Sequence, residues 1–224
     1  GIAEQLGKQG ARIVISDISQ EALDKGLVQL REEGINATAV AADMSDITAI
    51  DALAAHFTDD PINVVVNNAG LQFVSRLEDF PADRWKLLID VMLVGPAMLS
   101  RALLPAMRAQ GFGRIINIGS IHSLVASPYK SAYVAAKHGL IGFSKTLALE
   151  TGDTDITVNT ICPSYVKTPL VEKQIASQAK ENGITEEEVI NKIMLEPMPK
   201  KQFIDISEIA GTVAFLASPA AKNI

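Results

Sequence analysis

The feature of this sequence that most constrains its fold is a series of short β-branched runs separated by longer helical stretches. The two clearest runs are residues 63–67, which lead into Asn68-Ala69-Gly70, and residues 113–118, which lead into Gly119-Ser120. Such runs are typical of strands buried in a parallel sheet. Because open α/β sheets bind ligands at the carboxyl ends of their strands, we expect the polar residues after these runs to line a ligand site.

The remaining segments continue this alternation and predict one domain over residues 1–224. The chain has 224 residues, of which 48 % are hydrophobic, and this suffices for one sizeable core. Residues 1–10 predict the body of a first helix. Further predicted strands span 12–17, 37–42 and 155–161, and predicted helices span 20–33, 47–58, 82–107, 131–149 and 206–216.

Composition disfavours several classes of function. The net charge is −6 and there is no basic stripe, so we expect no nucleic-acid partner. No uninterrupted apolar run reaches the roughly 18 residues of a membrane span, so we expect no membrane partner. The single cysteine, Cys162, excludes an intramolecular disulfide and fits a cytoplasmic location, and the three scattered histidines predict no metal site.

The helix predicted at residues 131–149 carries Tyr133 and Lys137 on one face, one turn apart. An ammonium group beside a phenol favours the phenolate, so this pair predicts a tyrosine of lowered pKa that exchanges protons. The Tyr-x-x-x-Lys spacing is common by chance, and alone it is equally typical of a solvated helix face.

The neighbouring motifs decide between these interpretations. Asn67-Asn68-Ala69-Gly70 ends one strand, Ser120 ends another, and Ser120 precedes Tyr133 by 13 residues. Together with Tyr133 and Lys137, these motifs resemble the short-chain dehydrogenase/reductase family over nearly the whole chain. The resemblance implies a Rossmann-type, doubly wound parallel sheet with helices on both faces in a single α/β domain. It also implies an oxidoreductase that uses a nicotinamide cofactor.

The resemblance further implies segments outside the printed sequence. A strand and a glycine-rich, pyrophosphate-binding turn are expected ahead of Gly1, and a last strand is expected after Ile224. We therefore expect the sequence to be trimmed at both ends.

Three residues are expected to carry the reaction. The resemblance implies that Tyr133 exchanges a proton with the substrate oxygen, that Lys137 lowers the tyrosine pKa and contacts the nicotinamide ribose, and that Ser120 hydrogen-bonds the reacting oxygen.

Asp17 predicts the choice of cofactor. A carboxylate at the end of the second strand can bind the adenosine ribose hydroxyls and would repel a 2′-phosphate, so we expect NAD. The alternative is that Asp17 caps the following helix. The other expected cofactor-binding residues are Asp43, Met44, Asn67, Ala69, Gly70, Tyr133, Lys137, Pro163, Val166 and Thr168.

A second set of residues predicts the substrate. A cation, an imidazole and two carboxamides form a plausible carboxylate clamp beside Ser120 and Tyr133. This set resembles that of the D-3-hydroxybutyrate dehydrogenases within the family, which implies interconversion of D-3-hydroxybutyrate and acetoacetate. The clamp residues are Gln72, His122, Lys130 and Gln174.

Each clamp residue also has an ordinary interpretation, as a surface lysine, a loop-capping histidine or a solvated glutamine. Two other functions therefore stay open. One is reduction of an acyl-carrier or sugar ketone, and the other is a non-catalytic protein that senses NAD or serves as a scaffold.

The segment that follows Thr168 is predicted to cover the expected site. Residues 170–198 are polar, helical in pattern and without an obvious core, so we expect a lid over the cleft.

The resemblance implies a homotetramer whose helical interface includes small and apolar residues, although these suit a core equally well. Those residues are Ala97, Leu99, Leu103, Ala135, Leu140 and Phe143.

Met92 departs from the family pattern. The resemblance implies an asparagine at this position, 28 residues before Ser120, where it bends the long helix and holds a water of a proton relay. A thioether is a weak acceptor and no donor. We therefore expect a relay that is impaired or rerouted, unless a backbone carbonyl holds the water or the position is an altered one.

Overall fold

The structure, a computed structural model, describes the backbone of residues 1–224 and every side chain except those of residues 169, 170, 173, 177, 181 and 182. The strands are β1 (Ile13–Asp17), β2 (Ala37–Ala41), β3 (Val64–Asn67), β4 (Gly113–Ile118) and β5 (Ile156–Ile161). The helices are α1 (Ile2–Lys8), α2 (Gln20–Glu32), α3 (Ile47–Ala55), α4 (Ala82–Ile89), α5 (Gly95–Gln110), α6 (Ser131–Glu150), α7 (Pro169–Asn182), α8 (Glu186–Glu188) and α9 (Ile206–Ala217).

All five predicted strands form, and all pair in parallel. Strand β1 pairs with β2, while β4 lies between β3 and β5 with Ile115 opposite Val65 and Val158. Two sheets are therefore seen where one was expected. A single doubly wound sheet would need a further strand between β1 and β3, and the described residues form none there.

Helices cover both faces of the β3–β4–β5 sheet, as the alternating side chains of β4 require. Ile115 packs with Leu103 and Met107 of α5 and with Leu147 of α6. Ile116 points to the opposite face and packs with α1 and α9. The doubly wound α/β architecture is thereby confirmed, with strand ends exposed at one edge.

The predicted helix at residues 82–107 is interrupted and extends to Gln110. A π-helical turn, Asp90–Val94, separates α4 from α5, and Met92 lies fully buried within it. The bend expected from an asparagine is present with methionine. Among the described helices, residues 82–110 are the one stretch long and apolar enough to cross a membrane. Because Leu103 and Met107 pack against the sheet, we assign it as a core helix.

The segment at residues 170–198 has a small core of its own, contrary to expectation. Ile175, Val189 and Met194 are buried together against Tyr165 and Phe203. Thr168 caps helix α7, and its Oγ1 accepts a hydrogen bond from the Val171 N–H at 3.4 Å. This core was not evident from the sequence because its apolar residues come from several short elements and form no helical stripe.

The expected interface residues separate into two groups in the single chain. Leu103 and Leu140 are buried in the core and are unsuited to contact another subunit, whereas Ala135 is exposed. Leu99 and Phe143 are partly buried against the same core cluster as Leu103. The core interpretation is therefore correct for the two leucines.

Candidate active site

Ser120 lies at the carboxyl end of β4 because the strand stops there and a short 3-10 turn, Ile121–Ser123, begins. The Ser120 and Ser123 hydroxyls form a capping box, in which Ser120 Oγ also accepts from the His122 N–H at 3.2 Å. Ser120 is buried. The turn thus holds one hydroxyl in a fixed place at the sheet edge.

Tyr133 and Lys137 lie on the face of α6 that meets this edge, as predicted. The phenol of Tyr133 lies close enough to the Ser120 hydroxyl for the serine to lower its pKa. Lys137 Nζ lies 5.8 Å from the centre of the Tyr133 ring and donates to the Ile118 carbonyl at 2.6 Å. Ser120, Tyr133 and Lys137 are therefore brought together.

The expected lowering of the tyrosine pKa is wrong for this structure. Burial raises the pKa of Tyr133 above its usual value, and the Ser120 hydrogen bond offsets this only in part. The ammonium of Lys137 is turned to the Ile118 carbonyl rather than to the phenol oxygen. The lysine is itself strongly affected, because burial lowers the pKa of Lys137 to about 8, partly opposed by Cys162.

A row of buried polar side chains fixes α6 against the strands. Asn67 Nδ2 donates to Asn117 Oδ1 at 2.7 Å, and Asn117 Nδ2 donates to Ser144 Oγ at 2.8 Å. Thr160 Oγ1 donates to the same Ser144 oxygen at 2.7 Å. Sequence reasoning missed this row, although Asn67, Asn117 and Thr160 occupy one register across β3, β4 and β5.

His122 reaches the site with both ring nitrogens engaged. Nε2 lies 2.7 Å from Ser127 Oγ, and Nδ1 lies 3.5 Å from Ser120 Oγ. The ring meets Tyr133 edge-on, with 5.9 Å between centroids. Burial, then the charges of Lys130 and His138, lower the pKa of His122. The imidazole is therefore neutral at pH 7. Ser127 was not among the predicted residues.

Lys130 is a buried cation, since only 9 % of the residue is exposed and burial lowers its pKa. Its ammonium has no hydrogen-bonding or ionic partner in the described part of the chain. The preceding residue, Tyr129, has φ of 66°, in the left-handed region that is costly for an aromatic residue. The Tyr129 carbonyl accepts from the Ser75 N–H at 2.9 Å, which holds this loop against the segment after β3.

The two glutamines of the expected clamp are less clearly placed. Gln174 Nε2 is buried and has no hydrogen-bond partner among the described residues, so it can donate a hydrogen bond to a polar ligand. Gln72 is partly buried in the segment after β3. No described contact joins either of them to Lys130.

Asp17 ends β1 with an exposed carboxylate, and its Oδ1 accepts from the Ser19 N–H at 2.8 Å. Ser19, not Asp17, caps α2. The capping alternative for Asp17 is therefore wrong. Asp43 holds the turn after β2, because its Oδ1 accepts hydrogen bonds from both the N–H and the hydroxyl of Ser45.

The other expected cofactor residues lie at strand ends or in the loop after β5. Ala69 and Gly70 are exposed, whereas Asn67 is buried and directs its side chain to Asn117. Val166 forms a parallel β-bridge with Ile204, in which the Lys167 N–H donates to the Ile204 carbonyl and the Ile204 N–H donates to the Tyr165 carbonyl. The N–H of Val166 therefore points to the other side of this bridge. The remaining three are partly buried: Met44, Pro163 and Thr168.

Comparison with known proteins decides the family. Residues 1–179 match the profile described as short chain dehydrogenase. The chain belongs to the short-chain dehydrogenase family. It is therefore an oxidoreductase of a family that uses nicotinamide cofactors, and it acts on a small-molecule substrate.

Individual relatives are close over the whole chain. It is 46 % identical to a D-beta-hydroxybutyrate dehydrogenase of Rhizobium meliloti, covering 100 % of this chain and 88 % of the relative. It is 41 % identical to one of Cupriavidus necator with the same coverage. A crystal structure of an actinorhodin polyketide ketoreductase variant with NADPH superposes with a TM-score of 0.94 at 32 % identity, over 100 % of this chain and 87 % of that one.

The residues present fit a nicotinamide dinucleotide by their chemistry. The exposed carboxylate at the end of β1 can accept hydrogen bonds from the cofactor. The exposed small residues after β3 leave space for it, and the N–H of Val166 can donate a hydrogen bond to it. The cofactor would supply the hydride chemistry. The chain supplies the proton-bearing groups of Ser120 and Tyr133 and the charge of Lys137.

Proposed function

We propose that this protein interconverts D-3-hydroxybutyrate and acetoacetate with NAD. The observation that carries the proposal is Lys130, a residue only 9 % exposed that lies close to His122 and whose ammonium has no partner among the described residues. An unpaired buried charge is costly, and a bound carboxylate would compensate it. The D-beta-hydroxybutyrate dehydrogenases among the relatives support this substrate.

The proposed roles follow from placement. Ser120 donates a hydrogen bond to the reacting oxygen, and Tyr133 exchanges a proton with it. Lys137 supplies a positive charge within the site, next to the Tyr133 ring. Lys130 binds the substrate carboxylate, and Gln174 and Gln72 supply further donors from the rim.

Asp17 supports NAD. Its carboxylate is exposed and does not cap α2, so it is free to accept hydrogen bonds from ribose hydroxyls. A 2′-phosphate would place a second negative charge beside it.

The proposal is tested with Lys130→Met, which keeps most of the length of the side chain and removes its charge. A charge-assisted hydrogen bond in a buried site contributes roughly 1.5–3 kcal/mol, so kcat/KM for D-3-hydroxybutyrate should fall by about one to two orders of magnitude. NAD binding should be unchanged. The matched control is Lys145→Met, which changes an exposed lysine of α6, the helix that Lys130 precedes. Equal kcat/KM for the two variants would remove Lys130 from the substrate site.

One observation favours a second function. The structural neighbour at TM-score 0.94 is a polyketide ketoreductase with NADPH, which fits reduction of a larger ketone. A panel of 3-hydroxy acids and ketones, assayed with both cofactors, separates the two. Faster turnover of a neutral ketone with NADPH than of acetoacetate with NADH would favour the ketoreductase.

A further inference from the structure

Helix α6 begins without the side-chain cap that starts other helices of this fold. Helices α2, α3 and α9 start at Ser19, Asp46 and Asp205, whose side-chain oxygens accept hydrogen bonds from backbone N–H groups. The residue at the start of α6 is Lys130, whose ammonium can only donate, and no side-chain cap forms there. The first turn of α6 therefore depends on contacts with other parts of the chain.

A side chain of α4 supplies such a contact. Trp85 Nε1 lies 3.3 Å from Ser131 Oγ, and Ser131 is the first residue of α6. An indole N–H can only donate, so the serine hydroxyl is the acceptor and the direction of this hydrogen bond is fixed. The bond ties the start of α6 to a helix that lies 46 positions earlier in the sequence.

The ring of Trp85 also packs beside the reacting tyrosine. It belongs to the apolar cluster that contains Met92, Ala132, Ala136 and Tyr133, in which both alanines are fully buried. Short side chains at these two positions bring the backbone of α6 close to its neighbours. The cluster therefore covers α6 over its first two turns.

The chain just ahead of α6 is held by a second contact. Tyr129 has φ of 66°, a conformation costly for an aromatic residue, and its carbonyl accepts from the Ser75 N–H at 2.9 Å. Lys130 thus lies between two anchored points, the Tyr129 carbonyl before it and the Ser131 hydroxyl after it. Because the Lys130 ammonium has no described partner, the backbone on either side determines where it lies.

We propose that Trp85 is a positioning residue, whose hydrogen bond to Ser131 fixes the first turn of α6 and thereby places Lys130 and Tyr133 for the reaction. Lys130 directly precedes Ser131, and Tyr133 follows it by two positions. A first turn that opens or shifts would consequently move both side chains. The use of Lys130 for a substrate carboxylate rests on the proposed function, whereas the fixing of the turn does not.

Amide hydrogen exchange measures the first turn without reference to turnover. The Val134 N–H donates to the Lys130 carbonyl at 2.9 Å, so its protection reports whether this turn is closed. The Thr151 N–H donates to the Leu147 carbonyl and reports the far end of α6. In Trp85→Phe, which keeps an aromatic ring and removes the N–H, exchange at Val134 should speed up by about threefold to tenfold. Exchange at Thr151 should not change.

Ser131→Ala tests the same bond from its other side and serves if Trp85→Phe fails to fold. It should reproduce the faster exchange at Val134, and the double variant should exceed neither single variant, because the bond is lost only once. Ser131→Thr keeps the acceptor and should restore slow exchange. Thr146→Ala, which removes an exposed hydroxyl from the same helix, is the matched control.

Kinetics separate positioning from a merely structural role, and only this readout rests on the proposed function. In Trp85→Phe and Ser131→Ala, kcat/KM for D-3-hydroxybutyrate should fall by about threefold to tenfold. The value for its methyl ester, whose uncharged end Lys130 does not bind, should fall less, so the preference for the acid should shrink. NAD binding should be unchanged. A merely structural role would lower the melting temperature and leave the preference as it is.

Two results would overturn the proposal: unchanged exchange at Val134 in the variants that fold, or a preference for the acid equal to that of the unmodified protein. Absence of turnover in the unmodified protein would instead refute the proposed function and leave the exchange result decisive for Trp85.

Discussion

Lys137 carries its charge where burial opposes it. Its pKa falls from 10.5 to about 8, a difference that corresponds to roughly 3 kcal/mol. The folded chain releases this proton at a lower pH than the unfolded chain does. The free energy of unfolding therefore rises as the pH increases from about 8 toward 10.5, and the penalty is fully present at pH 7.

Lys137→Met should consequently abolish turnover and yet stabilise the fold at pH 7. The expected gain is about 1–2 kcal/mol, because the lost hydrogen bond to the Ile118 carbonyl offsets part of it. Urea denaturation at pH 7 and at about pH 9.5 measures the gain, which should shrink at the higher pH. A less stable variant at pH 7, or an equal gain at both values, would contradict this explanation.

Asp17→Ala should reduce the preference for NAD over NADP, because the variant loses the acceptor for the ribose hydroxyls and the repulsion of the 2′-phosphate. We expect the ratio of the two kcat/KM values to fall by about tenfold or more. Ser16→Ala, which changes the preceding exposed residue, is the control. An unmodified protein that uses NADP as well as NAD would refute the role of Asp17.

Single residues were predictable from sequence where a strand end or a helical spacing fixes their place. Ser120, Tyr133 and Lys137 meet because β4 ends at the site and α6 begins beside it. The direction of the Tyr133 pKa shift was not predictable, since it depends on how far the phenol is buried and where the Lys137 ammonium points. Ser127 escaped notice because its spacing from His122 matches no periodic element.

Among the elements, the junction between α4 and α5 is packed closely against neighbouring backbone atoms. A Cβ on Gly95 would lie 2.5 Å from the Met44 carbonyl oxygen and 3.2 Å from that of Asp90. The π-helical turn at Asp90–Val94 thus brings backbone against backbone, close to the loop after β2. The bend therefore depends on this close backbone packing and on Gly95, which permits it. It does not require an asparagine at position 92, and it forms with Met92.

Gly95→Ala should accordingly destabilise the fold by about 1–3 kcal/mol, because backbone atoms must move to admit a methyl group. Gly211→Ala in α9 is the matched control, since a Cβ there meets open space. The control should be neutral or stabilising by up to about 1 kcal/mol. Thermal denaturation of both variants makes the comparison, and equal shifts would show that the Gly95 contact is unimportant.

The segment at residues 170–198 is proposed to close over bound ligands, although it has its own small core. Ile175, Val189 and Met194 hold its short elements together, and the same cluster contacts Tyr165 and Phe203 outside it, so closure would move these neighbours too. Tryptic cleavage after Lys180 and Lys192, both exposed, should slow when NAD and D-3-hydroxybutyrate are present together. Cleavage after Lys222 is the internal control. Rates unaffected by ligand would make the segment fixed structure.

At the scale of the whole molecule, the alternation of runs and helices was enough to predict the α/β architecture. Strand bounds agree within a residue or two, because β-branched runs and capping residues are local signals. Details that depend on distant packing were not predictable, such as the π-helical turn and the burial of Leu103 and Leu140. The homotetramer stays a prediction, and light scattering of the purified protein would test it.

The most direct test of the whole account compares D-3-hydroxybutyrate with its methyl ester in an assay of NAD reduction by the full-length protein. The two substrates share the reacting carbinol and differ in the charge that Lys130 is proposed to bind. The account predicts turnover of the acid, with kcat/KM for the ester lower by about one to two orders of magnitude. Equal kcat/KM for the acid and the ester, or no turnover of the acid, would contradict it.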